Sequence, residues 1–251
     1  MNSSDFNLPH PPIVEAVFDV DCDMPPAFDL ASLEQATREA FAAQYPKFRR
    51  QYLQQHQIQQ KAGQPIQFSA FQSVQALQCL QEDEKQLVQV RAQGFSFNRL
   101  TPYTSLDDYL PEVERVWGLF VRIASPVQIR TVRLRYINRI LLPLTNGRVD
   151  LEEYLKIGPR LPEEDHFGLA GFLNQYTVVA MDTGHQVNVV LTSQPLESDK
   201  LPIIFDIGVT STETTEPENW AWLLAKTQSL RHLKNRIFRK TLTEQCLKLF
   251  Q

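Results

Sequence analysis

The sequence predicts an α+β fold in which one wide antiparallel sheet carries its helices on one face. Three observations point there. Short segments of alternating polarity recur between turn residues, as in residues 130–140, "RTVRLRYINRI", and period-two alternation marks half-buried strands. Two longer stretches, around 106–124 and 220–237, instead space their apolar residues as helices do. The order of elements also repeats: strand, helix, several strands, helix over 13–124, then strand, short helix, three strands, helix over 128–250. Such an order predicts a duplicated strand-helix-strands-helix unit, joined through the two first strands into a saddle or helix-grip-like layout. It divides the chain into an extended N-terminal arm (1–12), a first α+β unit (13–126) and a second (127–251).

Each element follows from its residues. Pro9, Pro11 and Pro12 forbid helix in the arm. Residues 13–20 set Val14, Ala16, Phe18 and Val20 against Ile13, Glu15, Val17 and Asp19, a half-buried strand. Met24-Pro25-Pro26 breaks it, and Asp29 is placed to cap a helix reaching Gln44 before Pro46. The glutamine-rich region 51–81 spaces Leu53, Ile58, Phe68, Val74 and Leu77 through itself, giving two or three strands whose wet face is largely glutamine. Gly63-Gln64-Pro65 and residues 82–85 are turns, and 87–91 and 94–100 continue the sheet. Thr101-Pro102 stops it. Ser105 with Asp108 resembles a capping box, and helical spacing runs from Leu106 to Ala124 with Pro111 early in the stretch.

The quoted strand lies between Pro126 and Pro143. Asn146-Gly147 turns the chain, and Asp150 with Glu153 caps a short helix through Leu155. Gly158-Pro159 and Leu161-Pro162 make a loop. Residues 172–181 and 185–191 form a hairpin about Asp182-Thr183-Gly184, and 201–209 form another strand. Glu216-Pro217-Glu218 starts the last long helix, whose late cations, among them Arg231, Lys234 and Arg236, suit the negative end of its dipole. Thr243 can cap a final short turn.

Composition narrows the function. A chain of 251 residues, 43% hydrophobic and 22% charged, is globular in character, and a net charge of −4 argues against a general nucleic-acid coat. Cys22, Cys79 and Cys246 are far apart and form no CxxC pair, so reduced, packed thiols in a cytoplasmic protein are expected. The N-terminus lacks a basic region followed by an apolar one, so no signal peptide is expected, and no apolar run predicts a membrane span. The glycines form neither GxGxxG nor GxxxxGK[ST], and the histidines are scattered. Glu163-Glu164-Asp165-His166, the densest acidic-imidazole run, reads as a solvated loop. No cofactor or metal is expected, and Asp182-Thr183-Gly184 is a turn, not one half of a carboxylate pair.

Candidate binding residues come from the quoted strand. Its apolar side, Val132, Leu134, Tyr136 and Ile140, must face the helices, so Arg133, Arg135 and Arg139 point to the open side. If the two first strands are neighbours, Glu15 and Asp19 can neutralise some of these cations. Otherwise they form a basic strip suited to carboxylate or phosphate. Phe95, Phe97 and Arg99 share one face of the strand entering Tyr103, and the two phenylalanines are read as core. Asn138, on the side of Tyr136, is expected to bond a loop or helix end.

Several stretches look familiar together and in order: Pro11-Pro12-Ile13-Val14-Glu15-Ala16, Phe97-Asn98-Arg99 with Tyr103, Arg135-Tyr136-Ile137-Asn138, and Asn235-Arg236-Ile237-Phe238 with Leu242-Thr243. Through them the chain resembles a sporadically distributed family of mostly bacterial proteins of about this length, over nearly its whole extent. The resemblance brings no activity and no catalytic residues with it, and its patchy occurrence implies mobile or defence-linked genes.

The expected function is therefore a non-enzymatic binding or interaction protein. Its open sheet face, with Arg133, Arg135, Arg139, Arg99, Tyr103, Glu15 and Asp19 as candidates, would contact a protein or anionic partner. One alternative is single-stranded nucleic acid or a nucleotide, with Phe95, Phe97 or Tyr103 stacking on the bases. Another is a hydrolase-like enzyme using a carboxylate with histidine in a cleft. The sequence assigns no oligomeric state.

Overall fold

The computed structural model describes residues 8–59, 67–159 and 170–251. The expected turn at Gly63-Gln64-Pro65, the Leu161-Pro162 loop and the Glu163 to His166 run lie outside these residues. The described chain forms nine strands: β1 (Ile13–Asp23), β2 (Lys47–Gln59), β3 (Gln67–Leu80), β4 (Gln86–Arg91), β5 (Gly94–Leu100), β6 (Gln128–Pro143), β7 (Leu173–Val179), β8 (Gln186–Ser193) and β9 (Lys200–Ser211). Its helices are α1 (Glu34–Phe41), α2 (Leu106–Ala124), α3 (Leu151–Tyr154), α4 (Trp220–Thr241) and α5 (Glu244–Leu247).

All nine strands join one antiparallel sheet in the order β2-β3-β4-β5-β1-β6-β9-β8-β7. β1 and β6 are neighbours at its middle, with Phe18 opposite Leu134 and Val17 opposite Arg135. From β1 the sheet runs outward through β5 to β2, and from β6 through β9 to β7.

The pleat explains where the core lies. In β6, residues Ile129, Val132, Leu134, Tyr136, Asn138, Ile140 and Leu142 are buried, while the residues between them are exposed or half-buried. All five helices contribute to the core cluster formed with that face. Phe95 packs edge-on against Trp117 of α2 at 5.6 Å between ring centroids and lies 5.5 Å from Phe120. Phe95 and Phe97 are therefore core residues, and truncating a buried phenylalanine such as Phe95 to alanine costs about 3–5 kcal/mol.

The caps mark where local chemistry overrides spacing. Asp29 does not start α1. Its carboxylate accepts from the backbone N–H of Ala31 and Ser32 at 3.1 Å each, closing a local turn, so helix begins only at Glu34. Ser105 caps α2, its Oγ accepting from Asp108 N–H at 3.3 Å, and Pro111 is tolerated inside the helix. Asn219 caps α4, which starts at Trp220 rather than at Glu216. Asn138 is buried, but its amide donates to the Phe205 carbonyl on the neighbouring strand at 2.8 Å, not to a loop or helix end. The expected partner is replaced because β9 lies directly alongside.

Candidate functional site

The open face carries the sequence-selected arginines, and each has an intramolecular partner. Arg133 donates from Nε and Nη2 to Asp19 Oδ2 at 3.0 and 2.7 Å. Arg135 reaches Asp206 on β9 from Nε and Nη2, with a shortest contact of 2.6 Å. That hydrogen bond pushes the Arg135 guanidinium above its usual range. Arg139 bonds Glu197. Asp19 is 7% exposed and also accepts from Ser96 Oγ at 2.5 Å. Arg91 bonds Asp21 at 2.7 Å beside it.

Gln51, Gln78 and Gln89 are joined in a hydrogen-bonded row rather than left to solvent. Gln78 donates to Gln51 at 3.3 Å and to Gln89 at 3.0 Å, Gln89 to Asn98 at 2.9 Å, and Asn98 to Glu15 at 2.7 Å. One row of amides thus crosses β2, β3, β4 and β5 and ends on a carboxylate of β1. Gln78 donates in both directions, while Gln89 and Asn98 each accept one bond and donate the next, so the bonds from Gln78 to Glu15 polarise one another. Glu15 is used here by Asn98, while Asp19 takes Arg133.

Arg99 and Tyr103 belong to the other side of the sheet. Arg99 donates from Nε to the Tyr109 hydroxyl at 3.2 Å and from Nη2 to the Pro102 carbonyl at 3.3 Å. It thereby ties down the segment that delivers Tyr103 to a cavity of about 250 Å³. The walls come from the arm (Leu8, Pro11, Pro12), the start of α2 (Ser105, Asp107), β6 (Tyr136, Asn138) and α4 (Arg231, Lys234).

Lys234 dominates this cavity. It is 8% exposed, and its Nζ lies 3.9 Å from the centroid of the Tyr136 ring. Among the described residues its amine has neither a hydrogen-bond acceptor nor a carboxylate partner. Desolvation, then the nearby Arg231 charge, push its amine down to about 7. Arg231 pairs with Asp107 through Nη1 at 2.7 and 2.8 Å. Tyr103 and Tyr136 share a hydrogen bond of 3.2 Å between hydroxyls, and burial pushes both phenols up. The first turn of α2 adds the positive end of a 19-residue helix. Arg231 and Asp107 balance one another, so the excess of positive charge comes from the end of α2 and from Lys234 when it is protonated.

The sequence placed Lys234 among cations serving the end of the last helix. Arg239 and Lys240, also among those cations, do occupy the last turn of α4, which runs to Thr241, but Lys234 lies further back, on the buried stripe with Leu230 and Phe238. That spacing, i, i+4 and i+8 with a cation in the middle of an apolar face, was the signal available.

Other candidates are bland. Cys22, Cys79 and Cys246 are free and buried, and desolvation pushes each thiol up to about 12. His185 contacts Ser229 at 3.2 Å, and burial pushes its imidazole down. Asp182 sits in the hairpin turn and pairs with Arg236. Among the described residues no group of His, Cys, Asp and Glu could hold a metal ion, and no helix is long and apolar enough to cross a membrane. No family model matches the chain, and neither a curated protein nor a solved structure matches it.

Proposed function

We propose that this chain is a binding protein whose site is the Lys234 cavity and whose ligand is a small organic molecule bearing an anionic group. One observation carries it: a buried amine on the wall of a 250 Å³ cavity, without a carboxylate partner among the described residues. A buried ionisable group left unpaired costs stability, and such costs concentrate at functional sites. An anion held between Lys234 and Arg231, at the positive end of α2, supplies the missing charge. The volume equals roughly eight waters at about 30 Å³ each, which suits a small metabolite rather than a nucleic-acid strand.

Convergence supports the same site. Pro11, Pro12 and Ile13, then Tyr103, then Tyr136 and Asn138, then Asn235 and Phe238 all line the cavity. They come from the four stretches that carry the family resemblance, and membership of that family is part of this proposal. So is origin from a duplicated unit in a saddle or helix-grip-like layout, since each half sets its last strand beside its first and earlier strands outward. Free, buried cysteines accord with a cytoplasmic setting.

A protein or nucleic-acid partner on the open face has less to hold. Arg133, Arg135 and Arg139 already engage carboxylates, and Phe95 and Phe97 are in the core. Thermal unfolding with acetate, pyruvate and inorganic phosphate separates the two sites. At a hundredfold excess over Kd, a ligand stabilises by about 2.7 kcal/mol. That gain is expected to disappear in Lys234→Met and Arg231→Gln and to persist in Arg135→Gln. The reverse pattern moves the site to the open face.

A further inference from the structure

We infer that Lys234 is a covalent ligand-binding residue: its amine forms a reversible imine with a small 2-oxo acid whose carboxylate is held by Arg231. This rests on the anion site proposed above and adds the identity of the reactive group. The geometry has three parts. Arg231 and Lys234 are three residues apart on α4 and therefore neighbours on one helix face; both line the same cavity. A carbonyl next to a carboxylate is short enough to address both at once. Lys234 is engaged by the Tyr136 ring and, among the described residues, by no hydrogen-bond acceptor, so its nitrogen is not committed to a salt bridge.

The third part is the phenol pair. Tyr103 and Tyr136 make one hydrogen bond between two hydroxyls, so one hydroxyl hydrogen is left over. Burial keeps both phenols protonated, which leaves that hydrogen as a donor in the cavity that the amine also lines.

The step balances without a further reactant. The lone pair of the neutral Lys234 nitrogen attacks the carbonyl carbon, forming a C–N bond while the carbonyl π pair moves to oxygen. Proton transfer from nitrogen to oxygen gives the carbinolamine. The spare phenol hydrogen assists departure of the hydroxyl group, the C–O bond breaks, and water leaves. Transfer of the remaining nitrogen proton to the phenolate returns the phenol and leaves the neutral imine, which takes a proton from solvent to give the iminium. Overall, amine and carbonyl give imine and water, with no oxidation.

The charged and titratable groups facing the amine come from each packed element. Arg231 on α4 disfavours the ammonium, and Asp107 on α2 neutralises Arg231. Tyr136 on β6 and Tyr103 before α2 remain neutral. This surrounding keeps a neutral, nucleophilic amine accessible near neutral pH.

The test treats the full chain with pyruvate and borohydride at about pH 7.5, with intact-mass and peptide mapping. Acetone serves as a carbonyl control without an anion. One reduced adduct is expected at Lys234, exceeding that at any other lysine by at least about tenfold, because ordinary lysines are almost wholly protonated there. It is expected to fall in Arg231→Gln and with acetone, and to be absent in Lys234→Met and Lys234→Arg. The arginine variant retains a cation and serves if the methionine variant does not fold. Labelling spread evenly over surface lysines overturns the inference. Lys234-dependent stabilisation by pyruvate without a trapped adduct overturns the imine alone and leaves the anion site standing. Neither stabilisation nor adduct with any of the anions overturns both.

Discussion

The two sides of the sheet treat charge in opposite ways. On the open face Arg133, Arg135 and Arg139 are three half-exposed guanidiniums, yet each meets a carboxylate from another segment of the chain. Under the helices lies a single lysine amine, nearly excluded from water, that meets an aromatic ring and another cation's field. The face with more charge is thus the more complete one. A count of cations locates a basic strip, whereas binding capacity depends on which cations lack partners.

Substitutions on the two sides are expected to differ in pH dependence as well as size. Asp19→Ala strands the Arg133 guanidinium and the Ser96 hydroxyl together, and losing charge-assisted bonds of this kind costs about 2–3 kcal/mol. Urea unfolding measures it, and a loss under about 0.5 kcal/mol, the size of an ordinary surface change, would remove the structural role given to this pair. Lys234→Met acts through pH. In the unfolded chain a lysine holds its proton to about 10.4, but in the folded protein Lys234 releases it near 7. Between those values the unfolded state binds more protons, so wild-type stability rises with pH. Relative to Lys234→Met, the rise reaches up to about 1.4 kcal/mol per pH unit, beginning near pH 7 and absent well below it. Both proteins carry the same cysteines, whose buried thiols lower stability at higher pH, and the difference cancels them. A flat difference between about pH 7 and 8.5 would place the amine in ordinary surroundings. Gln89→Ala, which interrupts the amide row, costs about 1 kcal/mol. Arg139→Ala is expected to fall within about 0.5 kcal/mol, because its partner Glu197 is largely exposed. Neither of these last two is expected to change anion binding, as calorimetry would show.

Much of the scaffold was legible because the pleat of a sheet has a strict period. Val132, Leu134, Tyr136 and Ile140 could face only the helices, which sent Arg133, Arg135 and Arg139 to the other side. The Asp19–Arg133 pair followed from placing the two first strands together. Helix starts were less legible: Asp29 and Glu216 are both plausible beginnings, but backbone bonds at 31–32 and the Asn219 cap decide otherwise. The cavity was legible only in pieces. Tyr103, Asn138 and Lys234 were each noticed, but their meeting depends on four distant segments closing together, and no spacing within one segment encodes that. The partners of the glutamines were hidden for the same reason, since the amide row crosses strands whose register the sequence does not print.

The most direct measurement is an NMR titration of the lysine side-chain amines, comparing the wild-type chain with Lys234→Arg. One resonance, missing from the variant, is expected to titrate near pH 7, and to move to higher pH when a carboxylate or phosphate is added, because a bound anion favours the ammonium. If every lysine instead titrates near the usual value of about 10.4, or the Lys234 signal ignores both anions, the cavity is not the anion site described here.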